Sequence, residues 1–283
     1  MMRPLLATLA LLLPALPAPA QIFDNHVHLH DGEASIAAYQ AQLKADGEAV
    51  AGYGAMWFGG PNQALAGDPA VIRAGNDGIL ALAARHPGLL PIATVRPYDG
   101  AAAIAELERV AARGVRLLKI HPHTQKFDPA DPRVATLVKR AGALGLVVLI
   151  DNASILPGDS EKLFNLAIAC PQTKFIFAHM GGLNFRFWNI LALARTADGL
   201  LADNLYFDIS ATVALAAGSP IQGEFVWTMR NVGLDHILLG SDYPQFSLHR
   251  MTQALDRLGL TAEEKSLIRY DNARRLLGLA PPR

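Results

Sequence analysis

Short apolar runs alternate with amphipathic or alanine-rich stretches from one end of this chain to the other. That alternation constrains the fold more than any single residue. The runs are Ile22–His28, Ala49–Trp57, Leu89–Val95, Val115–Ile120, Leu146–Ile150, Lys174–Ala178, Asn204–Ile209 and His236–Gly240. Between them lie helix-like segments such as Asp99–Arg113, Asp131–Leu144, Ser160–Ala169 and Glu224–Val232. Several open on Asp or Ser, whose oxygens accept hydrogen bonds from the free N–H groups of a helix start. The run Leu146–Ile150 is apolar on both faces, as a parallel strand needs when helices cover one side and a packed interior the other. Eight such units predict an α/β chain folded as a (β/α)8 TIM barrel. A hydrophobic fraction of 51% supplies the core, and no linker or repeat divides residues 21–283.

The first 20 residues stand apart. Arg3, the apolar run Leu5–Leu13 and the small residues Ala18-Pro19-Ala20 have the layout of a signal peptide with cleavage after Ala20. The apolar core is shorter than the roughly 18 residues of a membrane span, and Pro14 and Pro17 interrupt it. The expectation is a periplasmic or secreted protein with no membrane association once the leader is removed. The 25 basic and 25 acidic residues balance without a basic cluster, which argues against nucleic acid as a partner. The single cysteine, Cys170, forms no internal disulfide and follows an apolar run, as a buried thiol would. A small-molecule substrate is the expected partner, with a homo-oligomer left open.

In a barrel of this kind the active site lies at the C-terminal ends of the strands. Five of the eight runs end in ionisable residues: His26 and His28, Lys119 and His121, Asp151, His179, and Asp242. Residues two apart on a strand share a face, so His26 and His28 present paired imidazoles, as a divalent metal requires. A bound ion lowers the pKa of its water toward about 7. Asp242 would then bind the ion or take a proton, and His179 would act as acid, base or oxyanion partner. Lys119 and Arg96 are candidates for an anionic substrate, with His121 beside them and Arg186 as a further candidate. Asp208 ends the seventh run and could support the site. His30, His86, His123, His236 and His249 read as loop or structural residues, and Trp57, Phe58 and Trp188 as core or pocket wall.

The segments Asp24-Asn25-His26-Val27-His28, Leu117–His123, Phe175–Gly182, Leu238–Pro244 and Asp271–Leu279 together resemble the amidohydrolase superfamily. The similarity is to its amidohydrolase-related branch, which includes aminocarboxymuconate-semialdehyde decarboxylase. The resemblance implies His26, His28 and Asp242 as metal ligands, with Asp242 also a proton acceptor. It implies His179 as a residue close to the chemistry, and Lys119 and His121 as the strand-four motif. That family has a ligating His at the end of strand five, where this chain has Asp151. Asp151 as a fourth ligand would favour a harder ion such as manganese over zinc. The implied function is a metal-dependent hydrolase using activated water. The alternatives are a non-oxidative decarboxylase or hydratase of a carboxylated substrate, and a lapsed enzyme or binding protein.

Overall fold

The computed structural model describes residues 21–59 and 68–279. The leader expected at 1–20 and much of the loop after the second strand lie outside the described residues. Eight strands run β1 (Phe23–His28), β2 (Gly52–Met56), β3 (Leu89–Thr94), β4 (Leu117–Ile120), β5 (Val147–Ile150), β6 (Lys174–Phe177), β7 (Leu205–Asp208) and β8 (Ile237–Leu238). They form one sheet in sequence order, every neighbouring pair parallel. The segment after β8 returns to β1: Asn25 N donates to Leu239 O, Asp242 N to His26 O and His28 N to Tyr243 O, at 3.1, 2.9 and 2.8 Å. These bonds close the barrel expected from the alternation.

Side-chain parity separates two apolar layers. Phe23, Ile92, Leu117, Val147, Leu149, Ile176 and Leu238 fill the barrel interior, with Ala273, Leu276 and Leu277 of the C-terminal helix in the same cluster. Leu118, Val148, Ile150, Phe175, Phe177 and Phe207 face outward and pack with the surrounding helices. The same parity carries Lys119 and Asp151 inward, one step beyond the last interior apolar residue of their strands. The register of β1 against β2 slips between Asp24 and Val27. This bulge inserts one residue and switches the inward face, so Phe23 and the His26–His28 pair point to the same interior.

The helices start close to the expected places. Asp131 caps Pro132–Ala143 by accepting from Arg133 N. The stretch expected to open at Asp99 instead has a 3-10 turn, Pro97–Asp99, before the helix Ala101–Ala112. Among the described residues no helix is long and apolar enough to cross a membrane.

Candidate active site

Three hydrogen-bond acceptors meet above the barrel. His26 Nδ1 lies 2.7 Å from Asp208 Oδ2, and His28 Nδ1 lies 2.5 Å from the carbonyl of Phe58. A carbonyl and a carboxylate only accept, so each Nδ1 carries the proton and each Nε2 presents a lone pair. Those two Nε2 atoms lie 3.4 and 3.3 Å from Asp242 Oδ1. The three residues offer ligand atoms within 4.8 Å of one another. Two lone pairs and an anionic oxygen repel unless a cation lies between them. The His2Asp donor set, with both imidazoles oriented by a second partner, fits a divalent ion such as zinc or manganese. Burial, and then the charge of Lys119, lowers the pKa of His26 to about 4. Lys119 Nζ lies 3.5 Å from His26 Nε2. Burial lowers its own pKa, opposed by Asp151, Asp242 and Asp208.

A second unit stands beside the first. His179 Nε2 is 3.2 Å from Asp151 Oδ1, while its Nδ1 faces Ser210 Oγ at 3.1 Å and Ser210 O at 3.3 Å. The carboxylate and the carbonyl both demand a donor, so the geometry calls for an imidazolium. Burial pushes its pKa down, but Asp151 outweighs burial and raises it to about 9. Asp151 in turn sits well below its ordinary value: burial would raise it, and the charged His179 imidazole, with Lys119, prevails. His121 differs. Its Nδ1 accepts from Thr124 N at 3.4 Å, leaving the proton on Nε2, 3.5 Å from Asp151 Oδ1. Burial, with Lys119 adding to it and Asp151 opposing, lowers its pKa to about 4 and keeps it neutral. Asp151 therefore lies between one charged and one neutral imidazole.

Local backbone geometry is special at His179 and Asp242. His179 and Asp242 each have φ of 61°, a left-handed conformation that costs a non-glycine residue of order 1–3 kcal/mol. His179 continues the outward parity of Phe175 and Phe177; the turn at its own Cα aims it inward. Gly240 is required by close approach. A Cβ there would lie 2.8 Å from Asp208 Oδ1 and 2.9 Å from His26 Cβ.

The barrel thus brings together His26, His28, Lys119, His121, Asp151, His179 and Asp242. Two expectations need correction. Arg96 does not join the cluster: its guanidinium donates to Asp99 and to the carbonyl of Gln125. It lies two residues past β3, where the chain turns at Pro97 toward the surrounding helices. Asp151 is not one of the three converging acceptors; its Oδ1 is engaged by His179 and His121 instead. Asp208 supports the site through His26. Ser210 and the Phe58 carbonyl escaped sequence reasoning. Ser210 shares parity with Asp208 and was open to discovery that way, whereas a backbone carbonyl leaves no residue signal.

The remaining candidates have structural partners. His86 pairs with Glu33, His123 with Asp159, His249 with Glu48 and Arg186 with Glu224. His236 Nδ1 bonds the carbonyl of Leu205, at the opposite end of the barrel. His30 stacks on His28 with ring centroids 5.7 Å apart. Trp188 and Cys170 are buried.

Known structures share this architecture. A protein from Staphylococcus aureus described as an amidohydrolase superposes with a TM-score of 0.71 and 19% identity, over 92% of this chain and 99% of the other. The 5-carboxyvanillate decarboxylase of Sphingomonas paucimobilis gives 0.68 and 16%, over 92% and 100%. The 5-carboxyvanillate decarboxylase of Novosphingobium aromaticivorans, complexed with manganese and 4-hydroxy-3-methoxy-5-nitrobenzoic acid, gives 0.68 and 14%, over 92% and 97%. No curated protein matches by sequence. The sequence model described as amidohydrolase matches residues 23–279, which spans every strand and all the site residues above, and the chain therefore belongs to the amidohydrolase family.

Proposed function

We propose that this protein is a lyase that removes CO2, without oxidation, from a small hydroxylated aromatic acid. The observation that carries this reading is the state of His179. Both its ring nitrogens face acceptors, so it offers a proton and is unable to accept one. Hydrolysis by activated water needs a free base nearby, and Asp242 Oδ1 is placed with His26 and His28 Nε2 as a ligand instead. Replacing a carboxylate on carbon by hydrogen needs an acid, which this site holds. The decarboxylases of similar fold support the same choice over the hydrolase expectation.

Lys119 would bind the substrate carboxylate beside the His26–His28–Asp242 group. A divalent ion held by His26, His28 and Asp242 would supply Lewis-acid polarisation of a substrate oxygen. His179 delivers its Nε2 proton to the ring carbon that bears the carboxylate. The C–C bond then breaks, its electron pair returns to the ring, CO2 leaves, and solvent reprotonates His179. The Nε2 proton leaves its hydrogen bond to Asp151 for the carbon, Ser210 keeps Nδ1 in place during the transfer, and Asp151 takes up the reprotonated Nε2 again; His121 remains a neutral wall beside them. We further propose that residues 1–20 send the protein to the periplasm or outside the cell; N-terminal sequencing of the exported protein should begin at Gln21.

The test is a panel of hydroxybenzoates, lactones, esters and amides, offered to protein reconstituted with Mn²⁺ or Zn²⁺. CO2 released in step with loss of a hydroxybenzoate, and abolished in His179→Asn, is the expected result. Lactone or amide cleavage without CO2 would restore the hydrolase reading. Tight binding without turnover would point to a lapsed enzyme.

A further inference from the structure

The left-handed stretch that carries His179 does not hold itself. His179, Met180, Gly181 and Gly182 all have positive φ, of 61, 47, 85 and 56°. Two of them are not glycine, so this backbone persists only where its surroundings pin it. Three pins act on His179 itself: Asp151 on Nε2, Ser210 on Nδ1, and Thr212 Oγ1, which donates to His179 O at 2.6 Å. The fourth comes from Asn152, the residue after Asp151, which is fully buried.

Asn152 lies between two loops. On one side are Gly181 N–H and Trp188 Nε1–H, on the other the hydroxyls of Ser154 and Ser160. With its carbonyl toward the first pair, Oδ1 accepts from Trp188 Nε1 at 3.2 Å and from Gly181 N at 3.3 Å. Its Nδ2 then donates to Ser160 Oγ at 3.1 Å and Ser154 Oγ at 3.3 Å. The reverse orientation would set the NH2 group against two N–H donors, whereas hydroxyls adapt to either role. The two serines also bond each other at 2.9 Å.

We infer that Asn152 is a positioning residue for the His179–Asp151 pair. It follows Asp151 directly in the chain and grips the backbone two residues beyond His179, so one side chain sets the distance between acid and partner. A carboxamide is suited to this, since it is an acceptor on one edge and a donor on the other. The inference deepens the decarboxylase reading and rests on it for its kinetic consequence only; its geometric consequence is independent of the reaction.

The test uses full-length mature protein and two variants. Asn152→Ala removes the grip on Gly181 and Trp188. Asn152→Asp keeps an acceptor for both, with the serine hydroxyls turning round to donate. In crystal structures, Asn152→Ala should show residues 179–182 shifted and His179 Nε2 beyond hydrogen-bond reach of Asp151, whereas Asn152→Asp should retain both. With the hydroxybenzoate turned over by the wild type, kcat should fall at least tenfold in Asn152→Ala with KM within twofold. Asn152→Asp should recover most of the loss. His179 unmoved in Asn152→Ala, or kcat unchanged there, overturns the inference. If Asn152→Ala does not fold, Asn152→Asp decides: a Gly181 N–H that no longer bonds the new carboxylate, with His179 still on Asp151, also overturns it. If no substrate turns over in the wild type, the decarboxylase reading fails and the crystallographic comparison still settles the role of Asn152.

Discussion

At the scale of single residues, the site depends on groups that orient others. Asp208 touches no converging acceptor, yet its carboxylate at 2.7 Å fixes which nitrogen of His26 carries the proton. Asp208→Asn should weaken Mn²⁺ or Zn²⁺ binding about 10- to 100-fold, the usual cost of losing such a partner. Competition with a chromophoric chelator measures it, and affinity equal to wild type would contradict the tautomer argument. Gly240→Ala tests steric room. The added methyl meets Asp208 and His26 below 3 Å, so metal affinity should fall and stability drop by about 1–3 kcal/mol, read by urea unfolding. The convergence of His26, His28 and Asp242 was legible in the sequence because spacing by two on a strand is a local property. Arg96 was not, since the turn at Pro97 aims it elsewhere.

Among the elements, the loops after β5, β6 and β7 are built as one unit. The chain after β6 passes so close to the β5 loop that a Cβ on Gly182 would lie 2.4 Å from Ala153 O, at φ 56° and ψ −132°. Gly182→Ala should therefore destabilise the protein by about 1–3 kcal/mol and reduce turnover while leaving metal content near wild type, since His26, His28 and Asp242 sit on other strands. Elemental analysis beside thermal melting checks both halves; loss of metal together with stability would show that the two units are not separable. The Gly181-Gly182 pair signalled a tight turn from sequence. Its aim of His179 back into the barrel arises only when Asp151, Asn152, Ser210 and Thr212 arrive from other strands.

For the whole molecule, the buried ion pair ties stability to pH. His179 has its folded pKa raised to about 9 from an ordinary 6.5, so its contribution is complete below about 6.5 and is lost as pH rises through about 9. Asp151 has its pKa depressed, so its contribution is present above its ordinary value of 3.8 and lost on acidification. In protein stripped of metal, Asp151→Asn should melt below wild type by most near pH 5 to 6.5, and the gap should close by about pH 9. A gap independent of pH would mean that the pair is not ionised.

The sequence by itself determined the architecture and the cast of the site. Eight alternations of strand and helix admit few closed solutions, and local parity identifies which residues crown each strand. Only the tertiary structure decided what those residues do to one another. Asp151 became the partner of an imidazolium rather than one of the converging acceptors, and Arg96 left the site. Asn152, Ser210 and the Phe58 carbonyl entered it. The physical reason is distance along the chain: ring tautomer, pKa and backbone aim are set by groups far apart in sequence, which the closed barrel brings within about 3 Å.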